Sequence, residues 1–197
     1  MSCCGAGRFM GTGLSFALGW SWGCRLIVAE VQEGYVNSFP FDFIIGSSHL
    51  CNGKDPYDAG FFAGRSEEEA YREYFESIID NLEVFHDFDI YGHLDYVVRY
   101  GPDQDKFYTY EKYRDLFERM LELLLENGIG VEVNTGGIGY GLKELHPCRE
   151  VLKRYHDLGG EIVTVGSDAH RPADICREFK RAEEFLRDCG FFLLYGV

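Results

Sequence analysis

Glu161-Ile-Val-Thr-Val-Gly-Ser-Asp-Ala-His170, followed at once by Arg171-Pro172, is the stretch on which the fold turns. Residues 162–165 are mostly β-branched and read as a buried strand. The run stops at Gly166, and Asp168 and His170 then leave a carboxylate and an imidazole at the strand's exit. An Asp and a His two apart, just past a buried strand, is how an α/β enzyme mounts metal ligands on a rigid support. The competing reading is local: Ser167-Asp168 ahead of a helix can be an N-cap and nothing more.

Working outward, the same strand-then-polar pattern recurs. Phe41-Asp-Phe-Ile-Ile-Gly46 reads as a strand with Ser47-Ser-His49 at its exit, and Phe88-Asp-Ile-Tyr-Gly92 as one ending in His93-Leu-Asp95. Gly130-Val-Glu-Val-Asn134 is a third, running into a glycine-rich loop over 135–141. Helices are predicted between them. Ser66-Glu-Glu-Glu69 is a capping box opening a helix to about Val84, with an apolar stripe of Tyr71, Tyr74, Phe75, Ile78, Ile79 and Leu82. A second helix is expected over 110–127, stopped at Asn127-Gly128. His146-Pro147 is read as opening a third that ends at Gly159-Gly160, and a last helix is expected over 172–189 with a strand at 191–195.

Strands alternating with helices imply a parallel sheet with helical crossovers. No Gly-x-Gly-x-x-Gly or P-loop follows any strand, so a nucleotide fold is unsupported. Polar residues contributed by several strand exits at one end are what a (β/α) barrel produces, whereas an open doubly wound sheet gathers them at one switch point. The expected fold is therefore an α/β barrel.

Composition narrows the function. A chain of 197 residues with 46% apolar and 16% aromatic residues has material for one sizeable core. Its net charge of −14 argues against nucleic acid or an anionic membrane as a partner, since both need a basic face. Seven cysteines without Cys-x-x-Cys spacing indicate neither a zinc knuckle nor a disulfide framework, and read as thiols in a reducing cytoplasm. No run reaches the ~20 apolar residues of a membrane span, and residues 1–25 lack a clear cleavage site for a secretory leader.

Three histidines and an aspartate (His49, His93, Asp168, His170) at one barrel mouth would suit Zn²⁺, Fe²⁺ or Mn²⁺. Singly, each has a plainer reading: His49 as a turn cap, His93 as a hydrogen-bonded core histidine. Arg99 is either a phosphate clamp, through two parallel hydrogen bonds, or a surface ion pair with Asp103 or Asp105. Asp95 either holds His93 or caps a turn. Asn134 either meets substrate or bonds backbone at the rim. Glu132 shares its side of the strand with Asn134 and is expected to be buried and paired. His86, His146 and His156 lack the pattern and are read as structural.

Gly46-Ser-Ser-His49, Gly92-His-Leu-Asp95, Glu132-Val-Asn-Thr135 and Gly166-Ser-Asp-Ala-His170 together resemble the PHP phosphoesterases, most closely the histidinol-phosphatase type. The resemblance covers roughly Tyr35 to the C-terminus. It implies a distorted (β/α)₇ TIM-like barrel, a trinuclear centre of divalent metal ions, and hydrolysis of histidinol phosphate, a small phosphorylated substrate, in histidine biosynthesis. It implies metal roles for His49, His93, Asp168 and His170, with Asp168 and His170 also catalytic. Arg99 and Asn134 would bind substrate.

The pattern departs from the family in two places. An arginine is usual near position 139, where this chain has Gly139. The family's His-x-His pair and bridging glutamate, which precede the Gly-Ser-x-His segment, are not recognisable. Residues 29–197 are therefore expected to be the C-terminal part of one barrel domain, incomplete at the N-terminus, binding metal weakly and hydrolysing little substrate. Residues 1–28 form an atypical segment with no acidic residue and no usable periodicity. If Ser21 has an AGY codon, Gly19-Trp-Ser-Trp-Gly23 read one base earlier encodes Met/Leu/Val-Glu-Leu-Gly, the missing glutamate motif. Residues up to about Leu26 are on that reading an out-of-frame translation.

Overall fold

The computed structural model describes residues 15–20 and 33–192. Five strands form one sheet: β1 (Ser15–Trp20), β2 (Phe43–Ser48), β3 (Ile90–Tyr91), β4 (Gly130–Asn134) and β5 (Val163–Gly166). They lie side by side in chain order, and every neighbouring pair is parallel. Parallel neighbours need a crossover, supplied by α1 (Glu67–Leu82) between β2 and β3, α2 (Arg114–Glu126) between β3 and β4, and α3 (Arg149–Asp157) between β4 and β5. A fourth helix, α4 (Phe179–Asp188), follows β5. Strand order that never reverses is the order of a barrel wall and not of a doubly wound sheet. Among the described residues the sheet is open, with β1 and β5 at its edges.

β1 is a strand that the sequence patterning did not indicate. It pairs with β2 in unbroken register from Ser15 opposite Phe43 to Trp20 opposite Ser48. The rest of the 1–28 segment lies outside the described residues. So does most of the strand expected at 191–195, where Phe191 and Phe192 are described and are not in a strand.

The period of two in β4 sorts its side chains between helices and interior. Val131 and Val133 are fully buried in the apolar core, while Glu132 and Asn134 face the other way, into the cleft described below. Tyr71, Tyr74, Phe75, Ile78 and Leu82 of α1 are buried against Phe117, Met120, Leu121 and Leu124 of α2. The Phe75 and Phe117 rings meet at 4.8 Å between centroids. Each such ring contributes about 1.5–3 kcal/mol by leaving water. The capping box is formed: Glu69 N donates to Ser66 Oγ at 3.2 Å, and Ser66 N donates to Glu69 Oε2 at 2.8 Å.

Three helix boundaries differ from expectation. The chain reaches α2 through a 3₁₀ turn, Tyr110–Tyr113. α3 begins at Arg149 with Cys148 as its N-cap, leaving His146 and Pro147 outside it. The last helix is split into a 3₁₀ turn, Pro172–Asp174, and α4, because Cys176 (φ 60°) and Glu178 (φ 61°) take left-handed backbone that no α-helix accommodates. Cys51, Cys148, Cys176 and Cys189 are free thiols. Among the described residues no helix is long and apolar enough to cross a membrane.

Candidate active site

The exits of β2, β3, β4 and β5 open onto one cleft of about 270 Å³ that gathers His49, His93, Arg99, Glu132, Asn134, Asp168 and His170. β2 hands over His49 directly. After β3 the chain turns sharply at His93, whose φ of 33° is left-handed. The 3₁₀ turn Tyr96–Arg99 then carries Arg99 back over the cleft floor. Asp168, at the exit of β5, is left-handed as well (φ 51°). Two non-glycine residues held in that region are a local cost that the surrounding contacts must offset.

Arg99 is the hub. Its side chain is 1% exposed, so it is no surface partner of Asp103 or Asp105. Nη1 donates to Asp168 Oδ2 at 2.6 Å, Nη2 to Asn134 Oδ1 at 2.8 Å, and Nε to His146 Nε2 at 3.0 Å. Tyr96 and Tyr140 lay their rings within 5.2 and 5.5 Å of its guanidinium carbon. Burial works against the charge on Arg99, but Asp168 outweighs it and holds the guanidinium above its ordinary value. Burial likewise pushes the Asp168 carboxyl up, and Arg99 overcomes this, so that the group stays ionised below the ordinary carboxylate value.

His146, read from sequence as structural, belongs to this network. An arginine only donates, so His146 Nε2 must accept and its proton must sit on Nδ1. Nδ1 lies 2.5 Å from Asp95 Oδ1, while Asp95 Oδ2 accepts from Tyr108 Oη at 2.9 Å and Cys148 N at 3.0 Å. Asp95 thus braces His146, and not His93. One signal for this was present. The residue before a proline is pushed out of helical backbone, so His146 ahead of Pro147 was better placed in an extended segment. It bridges Asn134 backbone to backbone, with N–O distances of 2.7 and 3.0 Å. Tyr96 and Tyr140 had no pattern that would have singled them out.

His49 and His93 turn their Nε2 atoms toward each other at 3.2 Å, with Tyr96 against both rings. Burial lowers the pKa of His49, and burial, then Arg99, takes that of His93 further down, so both imidazoles are neutral. His93 Nδ1 is buried without a partner. Two nitrogens bound to one zinc at 2.0–2.1 Å stand about 3.3–3.4 Å apart in a tetrahedron. The observed separation therefore fits two donors of one cation. Asp168 Oδ2 is engaged by Arg99, and His170 is exposed, its Nδ1 2.9 Å from the Asp168 carbonyl oxygen. Among the described residues no group of three His, Cys, Asp or Glu side chains converges as a metal site would require. Beside Gly139 stands the guanidinium of Arg177, whose Nη1 bonds Asp174 Oδ1 at 2.8 Å.

Residues 18–136 match the PHP domain family. The chain belongs to the PHP domain family. Among curated relatives, it is 30% identical over 166 residues to a probable histidinol-phosphatase of Clostridium acetobutylicum, covering 83% of this chain and 64% of that one. It is 29% identical over 179 residues to the histidinol-phosphatase of Lactococcus lactis, covering 90% and 66%. The chain thus spans just under two thirds of the length of these relatives. The Lactococcus lactis histidinol phosphate phosphatase, solved as a crystal structure with zinc, L-histidinol and phosphate, superposes with a TM-score of 0.71 at 26% identity, over 90% of this chain and 66% of that one. The PHP fold is thereby confirmed, a TIM-like barrel of which the described residues supply five parallel strands.

Proposed function

We propose that this PHP domain is a cytoplasmic, divalent-cation-dependent phosphomonoesterase that converts L-histidinol phosphate and water to L-histidinol and phosphate. The observation that carries the reading is the pairing, in one cleft, of two neutral imidazoles set for a cation with a buried guanidinium suited to a phosphate. That the Lactococcus lactis relative was solved with zinc, L-histidinol and phosphate supports the substrate.

Each residue has a role in this reading. His49 and His93 would hold a cation (Zn²⁺, Fe²⁺ or Mn²⁺), which supplies charge neutralisation at the phosphoryl group and a more acidic bound water. Of the five N–H donors of Arg99, three are committed to Asp168, Asn134 and His146, leaving two for phosphoryl oxygens. Asp168 keeps that guanidinium charged and aimed. Asn134, on the same guanidinium, would lie toward the histidinol end. His170 at the rim is exposed and within reach of solvent, where an imidazole can give the leaving alcohol its proton.

Two donors are fewer than the three protein ligands of a catalytic zinc, so cation affinity and turnover are expected to be low. The same donor count favours a second reading, a non-catalytic domain that retains the anion site. Phosphate release from L-histidinol phosphate by the 197-residue chain, with Zn²⁺ or Mn²⁺ added, separates the two. Release that disappears in His93→Ala supports the phosphatase. A folded chain that releases no phosphate at any cation concentration overturns it in favour of the second reading.

A further inference from the structure

Glu132 has no part in that mechanism, yet it is the most deeply placed carboxyl of the cleft, 4% exposed on the inner face of β4. Its Oε2 accepts two hydrogen bonds, from His93 N at 3.1 Å and from Asn134 Nδ2 at 3.0 Å. The first holds the backbone at the point where His93 adopts φ 33°. The second fixes which way the Asn134 amide faces. With Nδ2 spent on Glu132, Oδ1 is presented to Arg99 Nη2 at 2.8 Å and to Gly136 N at 2.9 Å.

The neighbouring strands make room for this carboxyl. A Cβ on Gly166 would overlap Glu132 Oε1, and one on Gly92 would stand 3.4 Å from Oε2. Glycine at position 166 is what lets a glutamate, and not a shorter side chain, fill the floor, whereas a side chain at 92 would meet its carboxyl only at ordinary contact distance.

We propose that Glu132 is a positioning residue that sets the cation-facing His93 and the anion-facing Asn134–Arg99 pair in one frame. The inference rests on the phosphatase reading only in naming the two ligands, a divalent cation and phosphate. Both bonds to Oε2 run 3.0–3.1 Å and depend on where the acceptor stands, so position and reach are what the proposal turns on.

This separates two near-isosteric variants. Glu132→Gln keeps the reach and one carbonyl acceptor for both N–H groups. Glu132→Asp keeps the carboxylate but withdraws it by about 1.5 Å, one C–C bond, beyond hydrogen-bond range of His93 N. The experiment measures, in the 197-residue chain, hydrogen exchange of the His93 amide, titration with Co²⁺ alone, and binding of inorganic phosphate.

Glu132→Gln is expected to keep the amide protected and both affinities within about threefold, while Glu132→Asp loses protection and about 10–100-fold in Co²⁺ affinity, as other supports of metal ligands do. Phosphate affinity falls with it. The proposal is overturned if Glu132→Asp behaves as wild type, or if Glu132→Gln loses protection and affinity while Glu132→Asp keeps them. If the wild-type chain binds neither Co²⁺ nor phosphate, the phosphatase reading fails. The His93 amide still decides the positioning role.

Discussion

Arg99 Nη1 stands 2.6 Å from Asp168 Oδ2, a guanidinium from the loop after β3 meeting a carboxylate from the loop after β5. The pair is lopsided: the arginine side chain is 1% exposed and the aspartate 25%. Removing the arginine strands His146 Nε2 as well as Asp168, and leaves Asn134 Oδ1 with Gly136 N as its remaining donor. Arg99→Met is therefore expected to cost about 2–4 kcal/mol in urea denaturation, below the range for a wholly buried pair because Asp168 can rehydrate. A loss under about 1 kcal/mol would contradict the hub assignment.

His146 gives the fold a pH dependence. Burial lowers its pKa despite the pull of Asp95, so its folded value lies below the ~6.5 of the unfolded chain. Between those two values the unfolded chain binds more protons. The contribution is fully present above about pH 6.5 and is lost as pH falls toward the folded value. Protonated Nε2 would also turn an N–H against Arg99 Nε. In His146→Asn the slope of stability against pH below 6.5 should lessen, by at most one proton or ~1.4 kcal/mol per pH unit. An unchanged slope would assign the dependence elsewhere.

Chelation should matter little to stability. A cation held by His49 and His93 alone binds weakly, and a ligand stabilises only to the extent that it exceeds its Kd. EDTA treatment is expected to leave Tm within about 2 °C of the untreated protein. A larger fall in a thermal melt would reveal a third donor.

The α1–α2 contact supplies two mutational yardsticks. Phe117 is fully buried against Phe75, and Phe117→Ala should cost about 3–5 kcal/mol through lost transfer energy and the cavity left behind. Ser66→Ala removes the cap of α1 and should cost about 1 kcal/mol. Chemical denaturation of both variants checks the ranking, and equal losses would mean the cavity collapses.

Gly19-Trp-Ser-Trp-Gly23 makes a prediction about the gene. If these residues are an out-of-frame reading, Ser21 is encoded by AGY, and DNA sequencing of codons 19–23 checks it. A TCN codon eliminates the frame-shift reading outright.

The parts of the site written in short-range pattern were readable in advance. Val131-Glu-Val-Asn134 alternates, and alternation alone sent Glu132 and Asn134 to the cleft and both valines to the helices. His49, His93 and Asp168 each come within four residues of the end of an apolar run, and each lines the cleft. What was not legible depends on distant partners. Asp95 finds His146 across 51 positions, a separation at which nothing local distinguishes it from a nearer histidine. Ser15–Trp20 alternates small residues with Phe16, Leu18 and Trp20 but has no charged face to mark it off from its Gly- and Ser-rich surroundings, and it is drawn out by pairing with β2. The break in the last helix comes from backbone at Cys176 and Glu178, two residue types with no marked preference for that conformation.

One guanidinium tying Asp168, Asn134 and His146 together has a consequence for motion. The loops after β3, β4 and β5 cannot loosen independently while Arg99 holds all three. Their amides, at 134–136, 146, 148 and 167–169, should then exchange with solvent at one shared opening free energy, as a single cooperative unit. The rim of the cleft is in that sense one moving part, and whatever frees Arg99 opens the whole of it.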